Sequence, residues 1–111
     1  MSWTLLFLAA FFEIIWAVGL KHSDGFKKLG PSVFTVIVML LSFVLLSQAM
    51  RRLPLGTSYA VWTGIGAVGT AILGILVFDE PRNAPRVICI ALIVTGIIGL
   101  KFFTAPGDAA P

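Results

Sequence analysis

The sequence predicts an all-α protein of four membrane-spanning helices. Three observations carry that expectation. Of 111 residues, 59% are hydrophobic and only 12% charged, against about 25% charged in soluble domains. Mean hydropathy is +1.03. The apolar residues fall in four long runs separated by short polar stretches, and a run in lipid must satisfy its own backbone hydrogen bonds as a helix. Four helices with so little loop leave no soluble domain, and one such chain can hardly enclose an aqueous path, so an oligomer is expected. The net charge of +3 would suggest nucleic acid in a soluble protein. Here the Lys and Arg residues flank apolar spans, which points to lipid headgroups and not to nucleic acid.

Helix 1 is expected over residues 3–20. The run is about 27 Å long as a helix, close to the ~30 Å hydrocarbon layer. Glu13 is its only charged residue and falls near its middle. A carboxylate at that depth costs several kcal/mol unless protonated, paired or hydrated, and such residues mark ion or substrate paths. The bland alternative is a neutral Glu bonded to a neighbouring helix. Leu6, Ala9 or Ala10, Trp16 or Ala17, and Leu20 share its face, and the alanines leave room beside it. Trp3 reads as an interfacial anchor. Met1-Ser2-Trp3 lacks a basic leader region and no small-residue cleavage site follows, so helix 1 is expected to be retained.

The loop from Lys21 to Gly30 contains the turn signal Asp24-Gly25, and Gly30-Pro31 marks the next helix entry. His22 reads as a solvated loop residue. Helix 2 is expected over 32–50, with Ser42 near its centre. Ser42 either bonds its own backbone, packs a close interface, or faces Glu13. Arg51 to Gly56 forms a short connection in which Pro54 ends the helix and Gly56 permits the turn. Helix 3 is expected over 57–78 with no charge. Its Gly64-Ile-Gly66-Ala-Val-Gly69 matches a dinucleotide-binding fingerprint by letter alone. It lies inside an apolar span, without the strand–turn–helix setting that motif needs. These glycines instead allow close packing or a bend.

The loop Asp79 to Arg86 balances its charges. Helix 4 is expected over 85–103, with Arg86 and Lys101 snorkelling and Gly96 and Gly99 forming a flat patch. Residues 104–111 read as a short disordered tail. The one cysteine, Cys89, sits in an apolar run and offers neither a disulfide nor a metal cluster. No metal or cofactor is expected, and no Ser, His or Cys constellation suggests an enzyme. Four spans place three basic residues (Arg51, Arg52, Lys101) on one side and five (Lys21, Lys27, Lys28, Arg82, Arg86) on the other. That small difference biases orientation only weakly.

One buried carboxylate with aromatic neighbours suggests a cation site, because Trp and Tyr faces add cation–π attraction. Tyr59 and Trp62, three residues apart, share a face. A carboxylate that releases a proton to bind a cation, and rebinds one when the cation leaves, is the minimum apparatus for antiport.

At these residues the chain resembles a known family. Glu13-Ile-Ile-Trp16-Ala17 through Lys21, Leu53-Pro54-Leu-Gly56-Thr57-Ser58-Tyr59-Ala60-Val-Trp62 through Gly69, and Thr95-Gly96-Ile-Ile-Gly99-Leu-Lys101 resemble the small multidrug resistance family. Trp16, three residues after Glu13, resembles its guanidinium-exporter subtype. The resemblance implies a four-helix subunit paired as an antiparallel, dual-topology homodimer in the bacterial inner membrane. It implies guanidinium export driven by proton import, with Glu13 of both subunits binding substrate and protons. Carried over by motif, Trp16, Ser42, Tyr59 and Trp62 line the site, Gly64 and Gly66 fall at a helix 3 bend, and helix 4 forms much of the dimer contact. Ala10 and Ser58 depart from the family pattern, where Gly and Ala are expected. Guanidinium suits the residues on chemical grounds too, with edge N–H groups for carboxylates and faces for aromatic rings. The alternatives are a broader exporter of quaternary ammonium or lipophilic cations, and a small membrane subunit that transports nothing.

Overall fold

The computed structural model describes residues 2–104. Four helices follow in order: α1 (Ser2–His22), α2 (Leu29–Ala49), α3 (Leu55–Val77) and α4 (Ala84–Phe103). Each is long and apolar enough to cross a membrane. At 1.5 Å per residue the shortest, at 20 residues, is about 30 Å long. The all-helical, multi-pass architecture is therefore as expected. The tail lies outside the described residues apart from Thr104.

The helix ends differ from expectation for identifiable reasons. α1 continues to His22, so that residue ends a helix instead of lying in a loop, and its ring rests 5.5 Å from Phe78. α2 begins three residues early, at Leu29. Pro31 thus sits in its first turn, where a missing N–H breaks no intrahelical bond. α3 likewise begins at Leu55. Gly56 lies inside it, and the expected turn at that glycine is made earlier, where Arg52 and Leu53 donate backbone N–H groups to Ala49 O at 3.2 and 3.1 Å.

The α1–α2 turn runs through positive φ at Asp24 (52°), Gly25 (72°) and Phe26 (65°). Glycine adopts this readily and Asp tolerates it. Ser23 holds the turn, donating to Leu20 O at 2.7 Å and accepting from the Phe26 N–H at 3.1 Å. In the α3–α4 loop Arg86 Nη2 pairs with Glu80 Oε1 at 2.6 Å. The Glu80 carboxylate lies against Gly74. Asn83 caps α4 by accepting the Arg86 N–H at 3.0 Å, satisfying one orphan donor of its first turn.

α1 is the hub, packed against α2 and α3, while α4 packs mainly on α3. The core joins Leu6, Ala9 and Ala10 of α1, Leu46 and Ala49 of α2, Leu53, and Val61 and Trp62 of α3. Small residues make these approaches possible. In lipid, where apolar burial supplies little drive between helices, close packing and interhelical hydrogen bonds hold them together. Gly19 faces Thr35 and Phe34, Gly69 faces Ile14, and Gly64 takes Ile97 and Ile93 of α4. No residue of α4 is buried.

A Cβ at Gly19 would meet Thr35 Oγ1, which is already committed to Pro31 O at 2.7 Å. Gly19→Val should therefore destabilise the protein by about 1–3 kcal/mol through overpacking. Gly30→Ala, where nothing lies within 4 Å, should be close to neutral. Reversible unfolding in mixed micelles measures both.

Candidate functional site

Glu13 lies one residue past the midpoint of α1, and its carboxylate presses against Gly66 of α3. A Cβ at position 66 would occupy the carboxylate's space, so only glycine admits Glu13 there. Glu13 Oε1 is buried and has no hydrogen-bond partner among the described residues. The Trp16 indole nitrogen, one turn further along α1, is in the same condition. An ionised oxygen so placed has lone pairs and no donor. It is suited to accept a proton or the N–H groups of a cation.

Beside it runs a three-helix hydrogen-bond relay. Trp62 Nε1–H of α3 donates to Ser42 Oγ of α2 at 3.0 Å. Ser42 Oγ in turn donates to Ala9 O of α1 at 2.7 Å. Of the roles open to Ser42 in sequence, the structure gives it the close interface: it bonds neither its own helix nor Glu13. Ala9 is the residue one turn before Glu13, so the relay fixes the part of α1 from which the carboxylate projects.

An aromatic ladder crosses the same helices. Tyr59 stands 5.6 Å from Trp62, Trp62 5.7 Å from Phe43, and Phe43 6.3 Å from Trp16. Three rungs, Trp16, Tyr59 and Trp62, are among the residues singled out in sequence. Phe43 was not, because a Phe in an apolar helix carries no local signal. Tyr59 is 54% exposed and touches Trp62, not the carboxylate. α3 runs unbroken through Gly64 and Gly66; Gly66 seats Glu13 and Gly64 seats α4. Ala10 and Ser58, the two departures, are both fully buried, and the Ser58 hydroxyl has no hydrogen-bond partner among the described residues.

Two clefts open along α1 near the level of Glu13, and Glu13 itself lines neither. One of about 530 Å³ is apolar and lined by residues including Phe11, Ile14, Val18 and Phe34. Another, of about 310 Å³, runs from Lys21, Glu80 and Arg86 at the loop end to Ala17 and Ala67. Ala17 is one turn from Glu13, and Ala67 adjoins Gly66. Among the described residues no group of His, Cys, Asp and Glu could hold a metal ion.

Four spanning helices with an ionisable group at mid-depth define a small polytopic membrane protein built around an intramembrane carboxylate. The sequence comparisons sharpen that class. The family model for the Small Multidrug Resistance protein matches residues 1–93. The chain is 58% identical over 101 residues to a guanidinium exporter of Proteus vulgaris, covering 91% of this chain and 97% of the relative. It is 57% identical over 104 residues to the guanidinium exporter of Escherichia coli K12, covering 94% and 99%. A guanidinium exporter of Citrobacter freundii is 54% identical over the same length. The chain belongs to the small multidrug resistance family. These relatives are named as transporters, not enzymes.

Removing the Ser42 hydroxyl would orphan the buried Trp62 N–H, a penalty of about 1–3 kcal/mol. Ser42→Ala should show that loss in reversible unfolding. Trp62→Phe removes the donor, so Ser42→Ala added to it should cost less than it does alone. Strict additivity in this double-mutant cycle would contradict the relay.

Proposed function

We propose that the chain is a proton-coupled antiporter that exports guanidinium or closely related guanidinyl cations across the bacterial inner membrane, working as an antiparallel homodimer. The observation that carries this reading is the Glu13 carboxylate. It lies at mid-depth in α1, with a buried, unpartnered oxygen seated on Gly66 and an aromatic ladder alongside. The names of the relatives, all guanidinium exporters, supply the cargo.

Glu13 binds substrate and proton in turn. A single carboxylate cannot hold both, so each ion displaces the other, and that competition couples their opposing movements. Guanidinium presents forked N–H donors to the carboxylate and its faces to rings such as Trp16 and Trp62. Ser42 keeps Trp62 in place, and Tyr59 continues the aromatic wall towards the surface. Discrimination by N–H donors excludes quaternary ammonium ions, which have none, more sharply than an apolar pocket could. Gly64 and Gly66 permit α3 to bend as the site changes the side from which it is reached. The second subunit brings a second Glu13, so two carboxylates titrate as a coupled pair. α4, with no buried residue of its own, supplies much of the contact between subunits.

Two experiments test this reading. Guanidinium binding should weaken as pH falls, because protonation removes the charge that holds the cation. Glu13→Gln, which keeps the shape but neither charge nor exchangeable proton, should abolish guanidinium-driven proton movement in proteoliposomes while the protein still folds. Binding that ignores pH between 5 and 9, or tetramethylammonium carried as well as guanidinium, would defeat the proposal. A protein that moves no charge in a guanidinium gradient would instead be a non-transporting subunit.

A labelling experiment addresses assembly. In a Cys89→Ser background, a cysteine placed in the tail should be labelled from both sides of the membrane, in keeping with three basic residues against five. Labelling from one side only, with full activity, would rule out dual topology.

A further inference from the structure

A second polar cleft lies at the opposite end of the molecule from the α1–α2 and α3–α4 loops. It measures about 360 Å³ and is lined by Ser2 and Leu5 of α1, Gln48 of α2, and Arg51 and Arg52 just beyond it. Its charge is of one sign. Among the described residues the acidic groups are Glu13 at mid-helix and Asp24, Asp79 and Glu80 at the far end of the bundle. Their ion pair, Arg86–Glu80, is there too. The first turn of α1, which opens into the cleft, holds no acidic residue, so its N–H groups add the positive end of a helix dipole. Arg51 Nη1 donates to Gln48 Oε1 at 3.3 Å, which leaves the amide N–H groups of Gln48 as further donors.

We propose that this cleft seats the phosphodiester of an anionic phospholipid headgroup. Two guanidinium forks, an amide, a hydroxyl and a helix N-terminus all offer donors, and the amide oxygen of Gln48 is engaged by Arg51. That is the complement of a phosphate. Three observations favour a lipid over a dissolved anion. Leu5 makes one wall apolar. Below Gln48 on the same face of α2, one and two turns deeper, Val44 and Leu41 are 56% and 49% exposed, a track for an acyl chain. The level is also that of the membrane surface, marked at this end by Lys101, whose ammonium stands 5.2 Å from the Trp3 ring. The site is independent of the cargo and of Glu13.

The test uses delipidated protein in an uncharged detergent. Phosphatidylglycerol and phosphatidylcholine of matched chains are compared by native mass spectrometry and by the shift in Tm. Phosphatidylglycerol should bind in preference and raise Tm, whereas millimolar inorganic phosphate or glycerol 3-phosphate should not. The Arg51→Gln, Arg52→Gln double variant should hold phosphatidylglycerol about tenfold more weakly. Lys101→Gln, which removes one cation from the same end, should change little. If the double variant does not stay folded, Gln48→Glu places a carboxylate in the cleft with both arginines intact and should also weaken binding. Equal retention by these variants, or equal binding of phosphatidylcholine, would overturn the proposal. A Tm shift reproduced by inorganic phosphate would reassign the cleft to a free anion and overturn the lipid.

Discussion

The hydrogen-bond relay Trp62–Ser42–Ala9 is the interaction on which the rest of the structure depends. Helices in lipid gain little from burying apolar faces, so a buried polar contact spanning three helices sets their mutual rotation more firmly than any Leu or Val pair. The relay ends on a backbone carbonyl of α1, which already accepts a bond from within its own helix. That is possible because a carbonyl has two lone pairs, and because Ala9 carries a side chain small enough to let α2 approach. One hydroxyl thus fixes how α1 is turned relative to α3. The turn of α1 decides where Glu13 points.

Glu13 meets α3 at Gly66, the complementary half of the same constraint. The relay sets the orientation of the carboxylate and the glycine supplies its room. The aromatic ladder then follows without further devices. Phe43 is next to Ser42, Tyr59 is three residues before Trp62, and Trp16 is three after Glu13, so each ring is carried to its place by a residue already fixed. The polar network is consequently short, with one donor chain and no branch, and the carboxylate itself stays outside it. A Glu13 bonded into the relay would have one acceptor site engaged; outside it, the buried Oε1 keeps its lone pairs free.

Much of this was legible in the sequence. Four spans follow from hydropathy and length, and Glu13 is conspicuous as the one charge in the apolar run of α1. The early starts of α2 and α3 share one cause: Gly30-Pro31 reads as a helix entry and Gly56 as a turn, yet a first helical turn has no N–H bond for proline to remove and tolerates a glycine. The partnership of Ser42 with Ala9 could not be read, because an alanine reveals nothing of its carbonyl. Gly66 was marked as a site of bending or packing. That it faces the carboxylate depends on the rotation of two helices, and helix rotation is set by contacts between residues 33 and 20 positions apart. Phe43 is invisible for the same reason.

The loose attachment of α4 has a consequence for how the molecule comes apart. α1, α2 and α3 share one core and one relay, whereas α4 leans chiefly on α3 and buries nothing fully. Local stability in such a molecule is graded, with elements of few buried contacts opening first. The three-helix core is thus the most firmly held part of the chain, and α4 is the helix most open to its surroundings, whether lipid or protein. A change in those surroundings is felt first at α4. Through Ile97 and Ile93 on Gly64 it arrives on α3 half a turn from the glycine that houses Glu13.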